Sequence, residues 1–353
     1  MARRGRPQCT GDHAQHGLLV VRAQSRRSHE DCIHHDFSIV VALPLLLACE
    51  SQPDPVGYGL RAMSFANSEW SAPVNLGSTI NTTFNEQGPT LSNDGLSLYF
   101  GSDRPLGGAG SFDLWVSRRD CADTSDPKCA WQSPESLGPT VNTAASETGP
   151  SLSIDGHLLF FTSTRPSGPG GQDIYLSRRG NPNTDLDWEP PVALGPDVNT
   201  AANEAGAEYL QSAEDGAANF YFDRAPVGGT ADLYNAALTR EGETSGPAVR
   251  IAELSDPIAT DQGPSVRTDG REVFFFSTRS GTVGGNDLWT STRRSVHDPW
   301  STPVNLGTPV NSPAADQQPG LSTDGRTLVF ASSRSGSFGG TDIWIINRTP
   351  SGQ

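Results

Sequence analysis

Five acidic residues occupy one position of an internal repeat, each at the start of a segment that we predict to be a strand. If the repeats close around one axis, five like charges repel each other unless each is paired or all are bridged by a cation. The repeat also supplies one arginine for each acid. We therefore expect Arg–acid clamps; the alternative is a ring that binds Ca²⁺ or a polar ligand at a channel mouth. The acids are Glu86, Glu147, Glu204, Asp261 and Asp316.

Side chains for nucleophilic or metal-assisted catalysis are scarce. His157 and His297 are the only histidines after residue 48, so a Ser-His-Asp arrangement lacks a base. The same shortage argues against a His-rich metal hydrolase. Glycoside hydrolysis needs only acidic residues with different roles, and Asp103, Glu208 and Asp223 are the acids that break the repeat. We predict a protein that is not an enzyme, with a glycoside hydrolase acting on a polysaccharide as the alternative.

The third repeat departs from the others. It reads Gly206-Ala207-Glu208-Tyr209 where the other repeats read G-P-x-x or a near relative. Such a departure arises either by drift or because one repeat carries a specific site. Glu208 and Tyr209 are therefore added to the candidate binding face formed by the five acids.

Aromatic residues recur at one position, in the middle of a predicted third strand. A row of aromatic rings could form a platform for sugars, but one ring at the same place in every repeat is better explained by packing between repeats. The residues are Trp115, Tyr175, Tyr234, Trp289 and Trp344.

The segment 150–179 shows how one repeat positions these groups. Alternating apolar residues lead to Asp155-Gly156, which predicts a type I′ hairpin turn with positive φ at both residues. A second strand and a Gly-rich loop follow, and an aspartate opens a third strand. The arginines that close the second strand are Arg104, Arg165, Arg224, Arg279 and Arg334, and the strand-opening aspartates are Asp113, Asp173, Asp232, Asp287 and Asp342.

A fourth strand lies between successive repeats, most clearly as the W-S-x-P-V-N-L-G motifs at 70–77 and 300–307. Four short strands per repeat predict an all-β protein, a five-bladed β-propeller of four-stranded antiparallel blades over residues 70–349. The predicted propeller begins with a fourth-strand motif at residue 70. After the third strand of the last repeat, which ends at Arg348, five residues follow. We therefore predict that the N-terminal strand pairs into the last blade and closes the ring.

The motifs P-x-L-S-x-D-G, S-x-R and G-G-x-D-[IL]-[YW] resemble the WD40-like propeller repeat of the TolB type, over residues 70–349. This resemblance implies a bacterial cell-envelope protein that scaffolds or binds rather than catalyses.

The beginning of the chain predicts export. Residues 1–48 read as a leader with an apolar run that ends in Leu-Leu-Ala-Cys49, which resembles a lipobox with Cys49 lipidated. Residues 49–69 read as a tether, and 350–353 as a tail. Cys121 and Cys129 are predicted to form a disulfide. We expect an anchored protein on the periplasmic side of the outer membrane or on the cell surface.

Charge limits the partners. The formal net charge is -15 and Lys128 is the only lysine, which argues against nucleic acid or anionic lipid as a ligand. The membrane contact would be the lipid anchor alone. The sequence thus predicts a monomeric scaffold without a cofactor, which binds an envelope protein or a glycan through its Gly-rich and acid-rich face.

Overall fold

The computed structural model describes residues 69–105, 111–122, 126–211 and 218–350. The leader, Cys49, nearly all of the tether, Asp215 and residues 351–353 lie outside this range, so the expectations about them stay predictions. Within the described ranges no helix is long and apolar enough to cross a membrane.

The described residues form five antiparallel sheets of four strands, numbered here as blades 1 to 5 in chain order of their inner strands. Blade 1 contains β2 Glu86–Leu91, β3 Ser97–Ser102, β4 Asp113–Arg118 and β5 Glu135–Ser136. Blade 2 contains β6 Glu147–Leu152, β7 Leu158–Ser163, β8 Asp173–Arg178 and β9 Val192–Ala193. Blade 3 contains β10 Asn203–Gln211, β11 Ala218–Ala225, β12 Asp232–Leu238 and β13 Val249–Arg250.

Blade 4 contains β14 Asp261–Val266, β15 Glu272–Ser277, β16 Asp287–Thr292 and β17 Val304–Asn305. Blade 5 contains β18 Asp316–Leu321, β19 Thr327–Ser332, β20 Asp342–Asn347 and, as its outer strand, β1 Val74–Asn75. A short 3₁₀ helix, Pro127–Cys129, precedes β5.

Ring closure is as predicted. Strand β1 pairs antiparallel with β20, with Val74 opposite Ile345 and Asn75 opposite Trp344. The Ser71 amide donates to the Asn347 carbonyl at 2.8 Å and extends this pairing. The five-bladed all-β fold and its closure by the N-terminal strand are therefore confirmed.

The apolar core lies between neighbouring blades. Phe160 of blade 2 packs on Phe220 of blade 3 with ring centroids 5.0 Å apart, and both side chains are fully buried. The backbone also links neighbours, because the Glu204 amide donates to the Gln172 carbonyl of blade 2 at 2.9 Å, and the acids of the other blades repeat this bond. Each blade therefore depends on its neighbours for burial of its faces.

The hairpin turns differ from the prediction. In blade 2, Gly156 has φ 72°, whereas Asp155 does not take a positive φ, so the pair is not a type I′ turn. The Gly156 amide donates to the Ser153 carbonyl at 2.8 Å, and the Asp155 carboxylate accepts from the Ser153 hydroxyl at 2.6 Å and the His157 amide at 3.1 Å. These local bonds hold the aspartate in an ordinary turn conformation and leave the positive φ to glycine.

Cys121 and Cys129 form a disulfide in the connection between β4 and β5.

Candidate functional site

Each clamp acid is buried in a network of hydrogen bonds. The Glu147 carboxylate accepts from the Thr143 amide at 2.9 Å, the Thr143 hydroxyl at 2.7 Å, the Ser163 hydroxyl at 2.9 Å and the Arg165 guanidinium at 3.1 Å. Its exposed fraction is 0%. Corresponding Arg–acid pairs in the other blades are Arg104–Glu86, Arg224–Glu204, Arg279–Asp261 and Arg334–Asp316.

The five acids therefore do not present carboxylates to a ligand at the channel mouth. Each accepts hydrogen bonds from its own blade and is closed off from solvent. In the part of the chain that the structure describes, no group of three His, Cys, Asp or Glu residues could hold a metal ion. The structure thus places Glu86, Glu147, Glu204, Asp261 and Asp316 inside the blades and away from the expected binding face.

The clamps also account for the recurring aromatic rings. The Arg165 guanidinium lies over Tyr175 at 4.6 Å from the ring centroid, and the same arginine–aromatic contact occurs in every blade. The strand-opening aspartates hold the Gly-rich loops. The Asp342 carboxylate, for example, accepts from the Phe338 amide at 2.8 Å and from Asn75 Nδ2 at 2.7 Å. In the structure both sets of residues hold the blades together.

A central channel runs between the five inner strands. It contains a cavity of about 90 Å³. Its lining includes Glu208, Asp223 and Gln318. This volume is below the roughly 300–1,000 Å³ of most small-molecule sites, so the passage is narrow.

Strand register shows which channel positions differ between blades. In each blade, the residue directly after the clamp acid pairs with a residue of the second strand. This partner differs in every blade: it is Gly101, Thr162, Asp223, Phe276 or Ala331. A second position along the inner strand is occupied by Thr90, Ser151, Glu208, Ser265 and Gly320. Blade 3 alone places a carboxylate at each of these two positions.

Glu208 lies in the wall of the channel toward blade 4. Its carboxylate accepts from the Val266 amide at 3.2 Å and from the Ser151 hydroxyl of blade 2 at 3.2 Å. Burial raises the pKa of Glu208 to about 7, although the hydrogen bonds from Val266, Ser151 and Ser265 oppose the shift. The side chain remains partly accessible through the channel, so Glu208 can hold a proton near neutral pH and expose it to the cavity.

Asp223 lies on the same wall, nearer the clamp of blade 3. Its carboxylate accepts from the Gly263 amide at 2.9 Å and from Gln262 Nε2 at 3.3 Å. Burial raises the pKa of Asp223 to about 6, and the charge of Glu204 adds to this shift, while the two hydrogen bonds oppose it. Gly206 makes room for the group, since a Cβ there would lie 2.4 Å from Asp223 Oδ1.

The two carboxylates lie on one face of blade 3. Glu208 pairs with Tyr221, which is two residues before Asp223 on β11, so all three side chains point to the same side. Among the described residues, no arginine or lysine pairs with either carboxylate. This arrangement provides two acids with different pKa values in one cavity, which is what acid–base catalysis requires.

Other residues that the sequence singled out lie elsewhere. Tyr209 is 7% exposed and stacks on Phe160 at 5.4 Å, so it belongs to the core between blades 2 and 3 rather than to a binding face. Asp103 accepts from the Asn85 amide and side chain, each at 2.7 Å, and thereby braces the segment before β2. Asp103 does not line the cavity that Glu208 and Asp223 share, whereas Tyr209 lines a second, smaller pocket next to Glu208.

Solved structures that match this fold include glycoside hydrolases. A thermostable family-43 glycoside hydrolase matches with TM-score 0.51 at 13% identity, over 77% of this chain and 91% of that chain. An α-L-arabinofuranosidase from Lactobacillus brevis matches with TM-score 0.53 at 16% identity, over 76% and 92%. The GH43_1 enzyme from Xanthomonas citri, solved with xylotriose, matches with TM-score 0.52 at 15% identity, over 79% and 89%.

No protein-family model matches the sequence, and no curated protein matches it. At 13 to 16% identity the structural likeness shows the fold alone.

These findings correct three expectations. The assignment to WD40-like repeats of the TolB type is wrong, because the solved structures that match this fold include family-43 glycoside hydrolases and an α-L-arabinofuranosidase. The description of the chain as a non-enzymatic scaffold, and the prediction that it is not an enzyme, are overturned by the same finding. The alternative, a propeller related in fold to glycoside hydrolases, agrees better with the comparison.

The sequence pointed to Glu208 and Asp223 only as irregularities. The signal that could have identified them is register: Arg224 pairs directly with Glu204, whereas in blade 2 Ser163 pairs with Glu147 and Arg165 follows two residues later. The closing arginine of blade 3 is thus displaced by two positions along its strand. Aligning the blades by their acids rather than by their arginines places Asp223 at the channel position.

Proposed function

We propose that this protein hydrolyses glycosidic bonds in its central channel, with Glu208 as general acid and Asp223 as general base. The observation that carries the proposal is the pair itself. Two carboxylates without cationic partners lie at channel positions of a single blade, and burial raises their pKa values to about 7 and about 6. The family-43 fold of the matching structures supports the same reaction class.

Burial raises both pKa values toward neutral pH, and we propose the group with the higher value as the general acid. Between pH 6 and pH 7 the side chain with the higher pKa, Glu208, is mostly protonated and can donate to the oxygen of the leaving group. Asp223 is mostly ionised in this range and can accept a proton from water as that water attacks the anomeric carbon. The C–O bond breaks, the leaving group departs as an alcohol, and water supplies the new hydroxyl.

The separation of the two acids is limited by β14 and is compatible with inversion at the anomeric carbon. Glu208 and Asp223 bind amides of Val266 and Gly263, three residues apart on β14, and three residues of a strand span at most about 10 Å. The register shift in this part of β14 shortens that span. Inverting glycosidases place a water between carboxyl groups about 6.5–9.5 Å apart, whereas retaining enzymes need about 5–5.5 Å.

The test uses the purified full chain and a panel of aryl glycosides, oligosaccharides and polysaccharides. We expect hydrolysis by the wild type and losses of roughly 10²- to 10⁴-fold in kcat for Glu208→Gln and for Asp223→Asn. Glu189→Gln, the same substitution at an exposed acid, should keep full activity.

A dinitrophenyl glycoside separates the two roles. Its leaving group needs no proton, so Glu208→Gln should regain most of its activity on this substrate, whereas Asp223→Asn should not. Hydrolysis that survives both substitutions, or no hydrolysis of any member of the panel, would overturn the proposal.

A further inference from the structure

We propose that Gln318 is a ligand-binding residue of the channel, whose side-chain amide donates a hydrogen bond to a saccharide hydroxyl or ring oxygen held opposite Glu208 and Asp223. This inference deepens the proposed function and rests on it for the class of ligand. It is motivated by a strained backbone conformation at one place in the repeat.

Gln318 occupies a position that the other four blades give to glycine. Gly88, Gly149, Gly206 and Gly263 have φ values of 57°, 57°, 63° and 60°, and Gln318 has φ 53°. A side chain in this left-handed region is strained, and glycine relieves the strain at no steric cost. Strain of this kind persists where the side chain serves a purpose, and often at functional sites.

The side chain of Gln318 points into the channel and has a defined orientation. Its Oε1 accepts from the Gly88 amide of blade 1 at 3.0 Å. Because an amide N–H requires an acceptor, the oxygen must face Gly88 and the NH₂ group must face away. The residue lines the same cavity as Glu208 and Asp223.

Blade 5 is two blades away from blade 3 in the ring order, so Gln318 lies on the wall across from the two acids. A donor at that place complements them, since a sugar held between the walls offers oxygen acceptors on both sides.

Capping of the Gly88 amide is the competing explanation for Gln318. Asp223 caps the equivalent amide of Gly263 at 2.9 Å, so the contact itself is a recurring one. Among the described residues, however, the amides of Gly149 and Gly206 receive no side-chain acceptor, and their blades have the same fold. The fold therefore does not require the cap, and capping alone does not explain a strained glutamine.

The experiment compares Gln318→Gly with wild type in thermal stability and in kinetics on the best substrate of the aryl-glycoside panel. Relief of strain and loss of one hydrogen bond offset each other, so the melting temperature should stay within about 2 °C. The KM should rise about tenfold, the effect of one hydrogen bond in a water-poor site, with little change in kcat.

Two further variants isolate the amide donor and the strain. Gln318→Glu keeps the acceptor for Gly88 but lacks the NH₂ group, so its KM should rise at least as much. Gly149→Ala places a Cβ at the equivalent position of blade 2, where the nearest side-chain atom would be 3.9 Å away, so it measures the strain alone and should lower the melting temperature.

Gln317→Ala is the matched control. This neighbouring glutamine bonds to Asn286 Nδ2 at 3.0 Å and does not line the cavity, so its loss should leave KM unchanged.

The outcomes separate the two proposals. Hydrolysis with an unchanged KM in Gln318→Gly and a melting temperature lowered by more than about 4 °C would make Gln318 a structural cap and leave the proposed function intact. If the wild type hydrolyses nothing, xylotriose titration decides: binding that is lost in Gln318→Gly supports the amide contact without catalysis. Absence of both hydrolysis and binding overturns both proposals.

Discussion

Replacement of Glu208 by glutamine should make the protein more stable, and the gain should depend on pH. The pKa of Glu208 is raised from 4.5 to about 7 by burial, so the folded state holds the proton more tightly than the unfolded state does. Below pH 4.5 the group is neutral in both states and costs nothing. As pH rises from 4.5 through 7, the unfolded state is favoured progressively and the wild type loses stability.

The magnitude follows from the size of the shift. One pKa unit corresponds to about 1.4 kcal/mol, so a shift from 4.5 to about 7 costs the wild type about 3 kcal/mol above pH 7. Glutamine has nearly the same shape and never ionises. Glu208→Gln should therefore be about 3 kcal/mol more stable at pH 8 and equal to wild type at pH 4, a rise in melting temperature of roughly 5–10 °C at pH 8.

Calorimetry or circular dichroism of the full chain from pH 4 to pH 8 measures this difference. The exposed Glu189→Gln variant should follow the wild type at every pH. An equal gain at pH 4 and pH 8, or no gain at pH 8, would show that Glu208 is not held neutral by its surroundings. The role of Glu208 as a proton donor near neutral pH would then be lost with it.

Four other outcomes are expected. The profile of kcat/KM against pH should rise through about pH 6 as Asp223 ionises and fall through about pH 7 as Glu208 loses its proton, measurable on the best aryl glycoside. Arg165→Met should lower the free energy of unfolding in urea by about 3–5 kcal/mol, because it leaves the buried Glu147 without a cationic partner. Joint replacement of Cys121 and Cys129 by serine should cost about 2–3 kcal/mol in the same assay. Deletion of residues 50–77 removes β1, so it should expose β20 and cause aggregation or a large loss of melting temperature. Deletion of 50–68 keeps β1 and should have neither effect. Equal melting temperatures for the two deletion variants would contradict closure by β1.

The fold could be predicted because its signals are local and repeated. The W-S-x-P-V-N-L-G motif at residue 70 has no partner in its own part of the chain, and this surplus strand predicted its pairing with β20. The turn type could not be predicted from Asp155-Gly156 alone. The Ser153 hydroxyl and the His157 amide bind the aspartate and select a different turn, and dipeptide preferences do not include such contacts.

The site was harder to predict because a repeated acid does not reveal which way it points. Glu147 and Glu208 are four positions apart in two equivalent blades, yet Glu147 is closed inside a clamp and Glu208 faces the channel. The sequence favoured Arg–acid clamps, with a ligand-binding ring as the alternative, and in the structure the repeated acids hold the blades together as clamps. Both carboxylates are buried, but their surroundings differ. Glu147 forms an ion pair with Arg165, whereas Glu208 has no cationic partner among the described residues and burial raises its pKa, so that it holds a proton near neutral pH.

Different residues hold the blades together and line the channel, which explains how a symmetric ring can carry an asymmetric site. Because the clamps and the packing between blades fix the backbone, the channel positions carry little structural burden and can differ from blade to blade. Thr162 illustrates this freedom: it occupies the blade 2 position equivalent to Asp223, lines the same cavity, and has a buried hydroxyl that none of the described residues contacts by hydrogen bond. Glu208, Asp223, Gln318 and Thr162 thus supply two acids, an amide and a hydroxyl from three blades, a set of groups suited to one small polar ligand rather than to five equivalent ones.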